Sequence, residues 1–164
     1  MESTIRYPRS ISRARLPTPI EPLTRYGKRF EGVDVWIKRD DLTGFELSGN
    51  KVRKLEFSMA AALDQGATSV VTCGGVNSNH CRATSYLAKQ LGLDVHLFLR
   101  TPDGQPPAVL QGNTLMNKIA GADIHWITPD AYLDRNQLLG NFAADQAKRG
   151  IKVFVIPEGA SDAL

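Results

Sequence analysis

Four glycines set the frame of this sequence. Gly66, Gly92, Gly121 and Gly150 each close a helix-like stretch and each stand a few residues before a short apolar run. Glycine is the usual residue just past a helix end, because it tolerates the left-handed conformation found there. The runs are Ser69–Thr72, Val95–Leu99, Ile124–Ile127 and Lys152–Ile156. Each is short and rich in Val, Ile, Leu or Phe, which suits strands buried on both faces. Between them the apolar residues fall at helical spacing: Val52, Leu55, Met59 and Leu63; Ala83, Leu87 and Leu91; Leu115 and Ile119; and Leu138, Leu139, Phe142 and Ala143. Four such units predict an α/β fold, a four-stranded parallel sheet flanked by helices. The repetition is architectural, with no residue-level repeat.

The first fifty residues do not keep this rhythm. Pro17, Pro19 and Pro22 make an extended entry, and Val33–Lys38 reads as a strand with Val35 and Ile37 alternating against Trp36 and Lys38. Arg39–Leu42 ends it in charges, and Thr43–Gly49 reads as a loop. This piece is expected to belong to another layer or to a second domain. The net charge is only +3, and the basic excess (Arg6, Arg9, Arg13, Arg15, Arg25, Lys28, Arg29) lies among the prolines rather than among aromatics. That argues for a solvated arm, or for a cleaved organelle-targeting peptide, and against a nucleic-acid surface. No apolar run approaches the ~18 residues of a membrane span, and no apolar stretch near Met1 resembles a secretory signal. At 164 residues, with 42% hydrophobic and 23% charged residues, the composition is that of a soluble globular domain. Cys73 and Cys81 fit no zinc or thiol-redox spacing, and His80, His96 and His125 form no HExxH motif and no i, i+4 pair. No metal site is expected from these spacings. Two reduced, buried thiols in a cytoplasmic protein are.

Two segments carry the chemistry. Ser48 or Asn50 can cap the helix that follows, whose first turn then holds Lys51, Arg53 and Lys54. That is the wrong charge for a helix N-terminus, which favours anions. Either an anion binds there, or a lysine is wanted that gives up its proton easily, as a Schiff-base lysine must. The plain alternative is a solvated basic turn paired with Asp40, Asp41 or Glu56. The second segment, Cys73-Gly74-Gly75-Val76-Asn77-Ser78-Asn79-His80, follows a strand and opens a helix. Glycines let backbone N–H groups approach a ligand, and a helix start attracts a carboxylate or phosphate. It is neither GxGxxG nor GxxxxGK[ST], so dinucleotide and P-loop sites are set aside. An ordinary capped strand–helix turn is the alternative.

Lys38-Arg39-Asp40-Asp41-Leu42, Ser48-Gly49-Asn50-Lys51-Val52-Arg53-Lys54-Leu55-Glu56 and Gly74-Gly75-Val76-Asn77-Ser78-Asn79-His80 closely resemble the D-cysteine desulfhydrase / 1-aminocyclopropane-1-carboxylate (ACC) deaminase family. Leu16-Pro17-Thr18-Pro19, Gly112-Asn113 and Ile156-Pro157-Glu158-Gly159-Ala160-Ser161 extend the resemblance along the chain. The family implies pyridoxal 5′-phosphate (PLP) as cofactor, the tryptophan-synthase-β fold and a homodimer. It implies that Lys51 holds the cofactor and moves the Cα proton, that Asn50 shapes the cofactor pocket, and that Asn79 bonds the cofactor's ring oxygen. Ser78, with the Asn79 and His80 backbone, matches the loop that receives the substrate carboxylate, and Ser78 is a second catalytic candidate through proton transfer. The implied organisation is residues 1–52 as part of a large domain, 53–160 as a small α/β domain, and 161–164 as the start of a crossing back.

The implied reaction is β-elimination of D-cysteine to pyruvate, sulfide and ammonia. ACC deamination with the same lysine and serine is the runner-up. His80 and the Lys38–Asp41 run look more like the desulfhydrase branch. The resemblance also places the phosphate-holding loop, the group facing the pyridine nitrogen and a substrate-side tyrosine in a second half, after Leu164. Weak PLP binding and little lyase activity are therefore expected of this chain alone, and a catalytically silent α/β domain that binds a partner or an anion is a third reading. Asn77 stands where the family usually has glutamine, which bears on substrate preference.

Overall fold

A computed structural model of the chain describes residues 7–44 and 49–161. Ser48, a candidate cap, and residues 162–164 of the expected crossing lie outside them. The predicted parallel sheet is present. It comprises β3 (Ser69–Gly75), β4 (Asp94–Arg100), β5 (Asp123–Ile127) and β6 (Val153–Val155), in the order β5-β4-β3-β6 with every neighbour parallel. The chain steps outward from β3 to β5 and then returns to the opposite side of β3. The direction of winding thus reverses between β3 and β6, and such a reversal leaves a crevice at the carboxyl ends of the strands.

The four glycines act as the sequence predicts. All have positive φ, between 67° and 78°. After α2 (Lys51–Asp64), the Gly66 N–H donates to Leu63 O at 2.9 Å and the Ala67 N–H to Ala62 O at 3.0 Å. This Schellman pair returns the chain from helix to strand. It recurs at Gly92 after α3 (Asn79–Gln90), at Gly121 after α4 (Gly112–Ile119) and at Gly150 after α6 (Arg135–Ala147).

Helices α2 and α3 cover one face of the sheet, with a core of Leu55, Met59, Leu87, Val70, Val95, Leu97 and Leu99. Each of these side chains stabilises the fold by roughly 2 kcal/mol when fully buried. The other face packs Val71, Cys73 and Phe98 against Leu139 of α6 and Tyr132 of α5 (Pro129–Leu133). Burial raises the Cys73 thiol to about 11 and the Cys81 thiol to about 12, so both are protonated and inert at neutral pH.

Helix α4 departs from expectation. Leu115 and Ile119, its predicted core face, are exposed, whereas Thr114 and Asn117 are buried against α3. The reason is polar: Asn117 Oδ1 accepts from Ser85 Oγ at 3.2 Å, and Thr114 Oγ1 donates to Val76 O at 2.6 Å. The short helix α5, which the sequence reading did not separate from the α6 pattern, is capped by Thr128, whose Oγ1 accepts the Ala131 N–H.

The first part of the chain forms an antiparallel ribbon of β1 (Ile20–Pro22) and β2 (Trp36–Lys38), joined through α1 (Thr24–Gly27). Only Trp36–Lys38 of the strand predicted over Val33–Lys38 is paired. Ile20, Trp36 and Ile37 are all exposed, so this ribbon does not join the core of the main sheet. The boundary expected at residue 52 falls inside the first turn of α2. No helix among the described residues is long and apolar enough to cross a membrane.

Candidate active site

The head of α2 carries three cations, and the structure separates them. Arg53 holds Asp40 through two contacts of 2.9 Å, and Asp40 also accepts from Thr18 Oγ1 at 3.0 Å. The Arg53 hydrogen bond holds the Asp40 carboxyl below the usual carboxylate range. Lys54 Nζ donates to Ser161 Oγ at 2.8 Å and to Gly159 O at 3.3 Å, tying α2 to the 3₁₀ turn Glu158–Ala160 that follows β6. Glu56 is no cation partner: it accepts the backbone N–H groups of Arg13 and Ala14. The plain reading of a paired basic turn therefore holds for Arg53. Lys51 has no hydrogen-bond or ion-pair partner among the described residues. Asn50 occupies the N-cap position in a helical conformation, and its side chain caps nothing.

The second segment lies at the carboxyl end of β3. Ser78 is the N-cap of α3, extended at φ −64° and ψ 117°, and its Oγ accepts the Cys81 N–H at 3.2 Å. The first backbone N–H groups of a helix have no intrahelical acceptor. Here the Cys81 N–H is satisfied by Ser78, while those of Asn79 and His80 meet no acceptor among the described residues. Two open donors at a positive helix start suit a carboxylate. Gly74 makes the tight turn possible: a Cβ there would sit 2.8 Å from Cys81 Sγ and from both Cβ and Oγ of Ser78.

The His80 side chain turns inward. Its Nε2 lies 2.9 Å from Thr72 Oγ1, and the ring is buried. Burial, reinforced by the charges of Lys51 and then Lys54, lowers its pKa to about 4, so the ring is neutral at pH 7. Any contact of this residue with a carboxylate therefore falls to its backbone N–H. Lys54 ties the head of α2 to the turn after β6, and α2 packs along α3, so the two helix heads lie at the carboxyl end of the sheet.

A third element, missed as functional by the sequence reading, braces the loop. Asn113 at the head of α4 donates through Nδ2 to Asn77 O at 2.7 Å and to Asn79 Oδ1 at 3.0 Å. Its Oδ1 accepts from Arg82 Nη1 at 2.7 Å. With its oxygen so engaged, the exposed Asn79 amide presents its NH₂ as a donor. The Gly112-Asn113 pair carried the family resemblance, and that was its only signal in the sequence.

Residues 11–163 match the family described as pyridoxal-phosphate dependent enzyme. The chain is 46% identical, over 161 residues, to the bifunctional D-cysteine desulfhydrase/1-aminocyclopropane-1-carboxylate deaminase, mitochondrial, of Arabidopsis thaliana; the match covers 94% of this chain and 39% of that protein. It is 40% identical to a D-cysteine desulfhydrase of Yersinia pestis, over 90% of this chain and 44% of the relative. A solved structure of an ACC deaminase homologue superposes with a TM-score of 0.82 at 38% identity, covering 94% of this chain and 46% of that one. The chain thus spans less than half the length of these relatives. The α/β fold built on its parallel sheet is the architecture it has in common with the ACC deaminase homologue, and the chain belongs to the pyridoxal-phosphate dependent enzyme family.

Proposed function

We propose that this chain supplies the lysine and carboxylate side of a PLP-dependent lyase site, and that the activity is elimination from D-cysteine. The observation that carries the proposal is that Lys51 and the N–H groups of Asn79 and His80, at the heads of two packed helices, have no partner among the described residues. The donor set fits the cofactor: an amine for its aldehyde carbon, the Asn79 amide for its ring oxygen, and Asn50 beside the lysine. Bound PLP supplies an electron sink for the substrate Cα.

The chain's own residues do the rest. The N–H groups of Asn79 and His80 hold the substrate carboxylate, and Ser78 fixes the turn that presents them. Lys51 Nζ takes the Cα proton, which requires the Cα–H bond to lie within hydrogen-bond reach of the amine. Ser78 Oγ accepts the Cys81 N–H and retains its own proton to donate as the Cβ–S bond breaks. The net change is D-cysteine plus water to pyruvate, hydrogen sulfide and ammonia. A second reading, ring opening of ACC with water to 2-oxobutanoate and ammonia, uses the same groups and is favoured by the double name of the Arabidopsis relative. The same proposal places the protein in the cytoplasm, where free thiols such as Cys73 and Cys81 stay reduced, as a homodimer acting on small amino acids.

The test is to add excess PLP to the purified chain, record the visible spectrum, and assay sulfide from D-cysteine against 2-oxobutanoate from ACC. A visible band that grows with excess PLP and vanishes in Lys51→Ala supports the proposal, and whichever product forms, in the small amount expected of this chain alone, names the substrate. A band that survives Lys51→Ala, or no band at any excess of PLP, overturns it in favour of a silent domain.

A further inference from the structure

The outer edge of the main sheet gathers three side chains that no local motif announces. Strands β4 and β5 pair with His96 opposite Asp123 and Phe98 opposite His125. Alternate residues of a strand share a face, so His96, Asp123 and His125 project together on the α6 side. Their donor atoms converge. His96 Nδ1 lies 3.2 Å from Asp123 Oδ2, His125 Nε2 lies 3.6 Å from the same oxygen, and the two ring nitrogens are 3.3 Å apart.

We propose that His96, Asp123 and His125 form a binding site for a divalent metal ion of the zinc class, with water completing the coordination. Zinc binds imidazole nitrogen at about 2.0–2.1 Å and carboxylate oxygen at about 2.0–2.2 Å, so tetrahedral ligands stand roughly 3.3–3.5 Å apart. The observed triangle has that size. A proton bridges only one edge of such a triangle, whereas a cation above it satisfies all three lone pairs at once. Two imidazoles and a carboxylate, without thiolate, are a donor set that zinc and its borderline neighbours accept.

The surroundings fix the ligands. Phe98 stacks on the His125 ring at 4.5 Å and 15°, and Phe142 of α6 packs against His96 at 4.7 Å and His125 at 5.2 Å. These aromatic contacts hold both imidazoles in orientation and keep one side of the site dry. Asp123 is 64% exposed and leaves the other side open to solvent. His96 and Asp123 also line a cleft with Gln146 and Lys89. Lys89 offers little repulsion to a cation, because its charge is held by Asp94 at 2.8 Å. The site lies on the α6 face, away from the α2 and α3 heads, and does not depend on the proposed lyase activity.

The experiment is calorimetric titration of the chelator-stripped full chain with Zn²⁺, together with the visible absorption of its Co²⁺ form. One ion per chain and a tetrahedral Co²⁺ spectrum are expected. Asp123→Asn keeps shape and exposure, and should weaken Zn²⁺ binding by at least roughly tenfold, the loss seen when even an outer partner of a metal ligand is disturbed. His96→Ala/His125→Ala should abolish the Co²⁺ spectrum, with circular dichroism checking that the fold is kept. Absence of stoichiometric Zn²⁺ binding by the parent overturns the proposal. So does Asp123→Asn binding as tightly as the parent, or a double variant that keeps the isotherm, which would place the ion elsewhere.

Discussion

His80 shows how one buried side chain ties the site to the stability of the fold. An unfolded imidazole titrates near 6.5, and this one is lowered to about 4 by burial, by Lys51 and by Lys54, in that order. Between those values the unfolded chain binds a proton that the folded chain refuses. Stability is therefore full above about pH 6.5 and falls as the pH drops towards 4. The size of the shift corresponds to a loss on the order of 2–3 kcal/mol between pH 7 and pH 4.5. His80→Gln, which can keep a bond to Thr72 Oγ1 but carries no titrating ring, should flatten that part of the curve. Urea midpoints of parent and variant at the two pH values check it, and equal slopes would refute burial of His80 as the source. Because His80 stays neutral, it adds no charge beneath the Asn79–His80 donors, whose pull on a carboxylate comes from the helix start alone.

Helix α4 works at the next scale, as a brace for the loop between β3 and α3. Asn113→Ala removes two bonds to that loop and leaves the partly buried Arg82 without its acceptor. The cost should be roughly 1–3 kcal/mol, the usual range for stranding a buried polar partner. Amide hydrogen exchange should quicken over residues 75–80 while the strands β3 and β4 stay protected, and uniform exchange across both would show that the brace is not local. The same helix marks the limit of what the sequence reveals. Gly66, Gly92, Gly121 and Gly150 were legible because a Schellman turn is encoded within six residues, and so were β3 to β6 because buried parallel strands are short and apolar. The lysine and the Gly74–His80 loop were legible as an ill-placed charge and a glycine-rich helix start. What α4 buries was not, because Thr114 Oγ1 and Asn117 Oδ1 find their partners over thirty positions away. The approach of His96 to Asp123 and His125 was invisible for the same reason: it depends on strand register across 29 residues, not on spacing along the chain.

At the scale of the whole molecule, the core and the first part of the chain separate. The main core draws on α2, α3 and the sheet, and among the described residues before 49 only Ile11 is an apolar residue packed against it. The ribbon β1–β2 exposes Ile20 at 63% and Trp36 at 58%, and a two-stranded ribbon is marginal in water by itself. It is held to the rest mainly by polar links along α2: Asp40 to Arg53, the Arg13 and Ala14 N–H groups to Glu56, Ile11 N–H to Glu56 O at 3.1 Å, and Arg9 to Asp64. Arg9–Asp64 and Arg13–Glu56 are solvent-exposed, and an exposed ion pair contributes about 0–1 kcal/mol. We therefore expect residues 49–164 to fold without residues 1–48, to unfold in one cooperative transition, and to be less stable than the full chain by roughly 1–3 kcal/mol, summing a few such links and the partial burial of Ile11. Thermal and urea unfolding of the two chains, followed by circular dichroism, measure the difference. A shortened chain that is unfolded at 25 °C would mean that the arm and ribbon are integral to the α/β domain. A shortened chain that melts like the parent, with unchanged cooperativity, would mean that they contribute nothing to it. The intermediate result would describe a segment docked on α2 but built to complete a different sheet, in keeping with the division into residues 1–52 and 53–160 that the family resemblance implies.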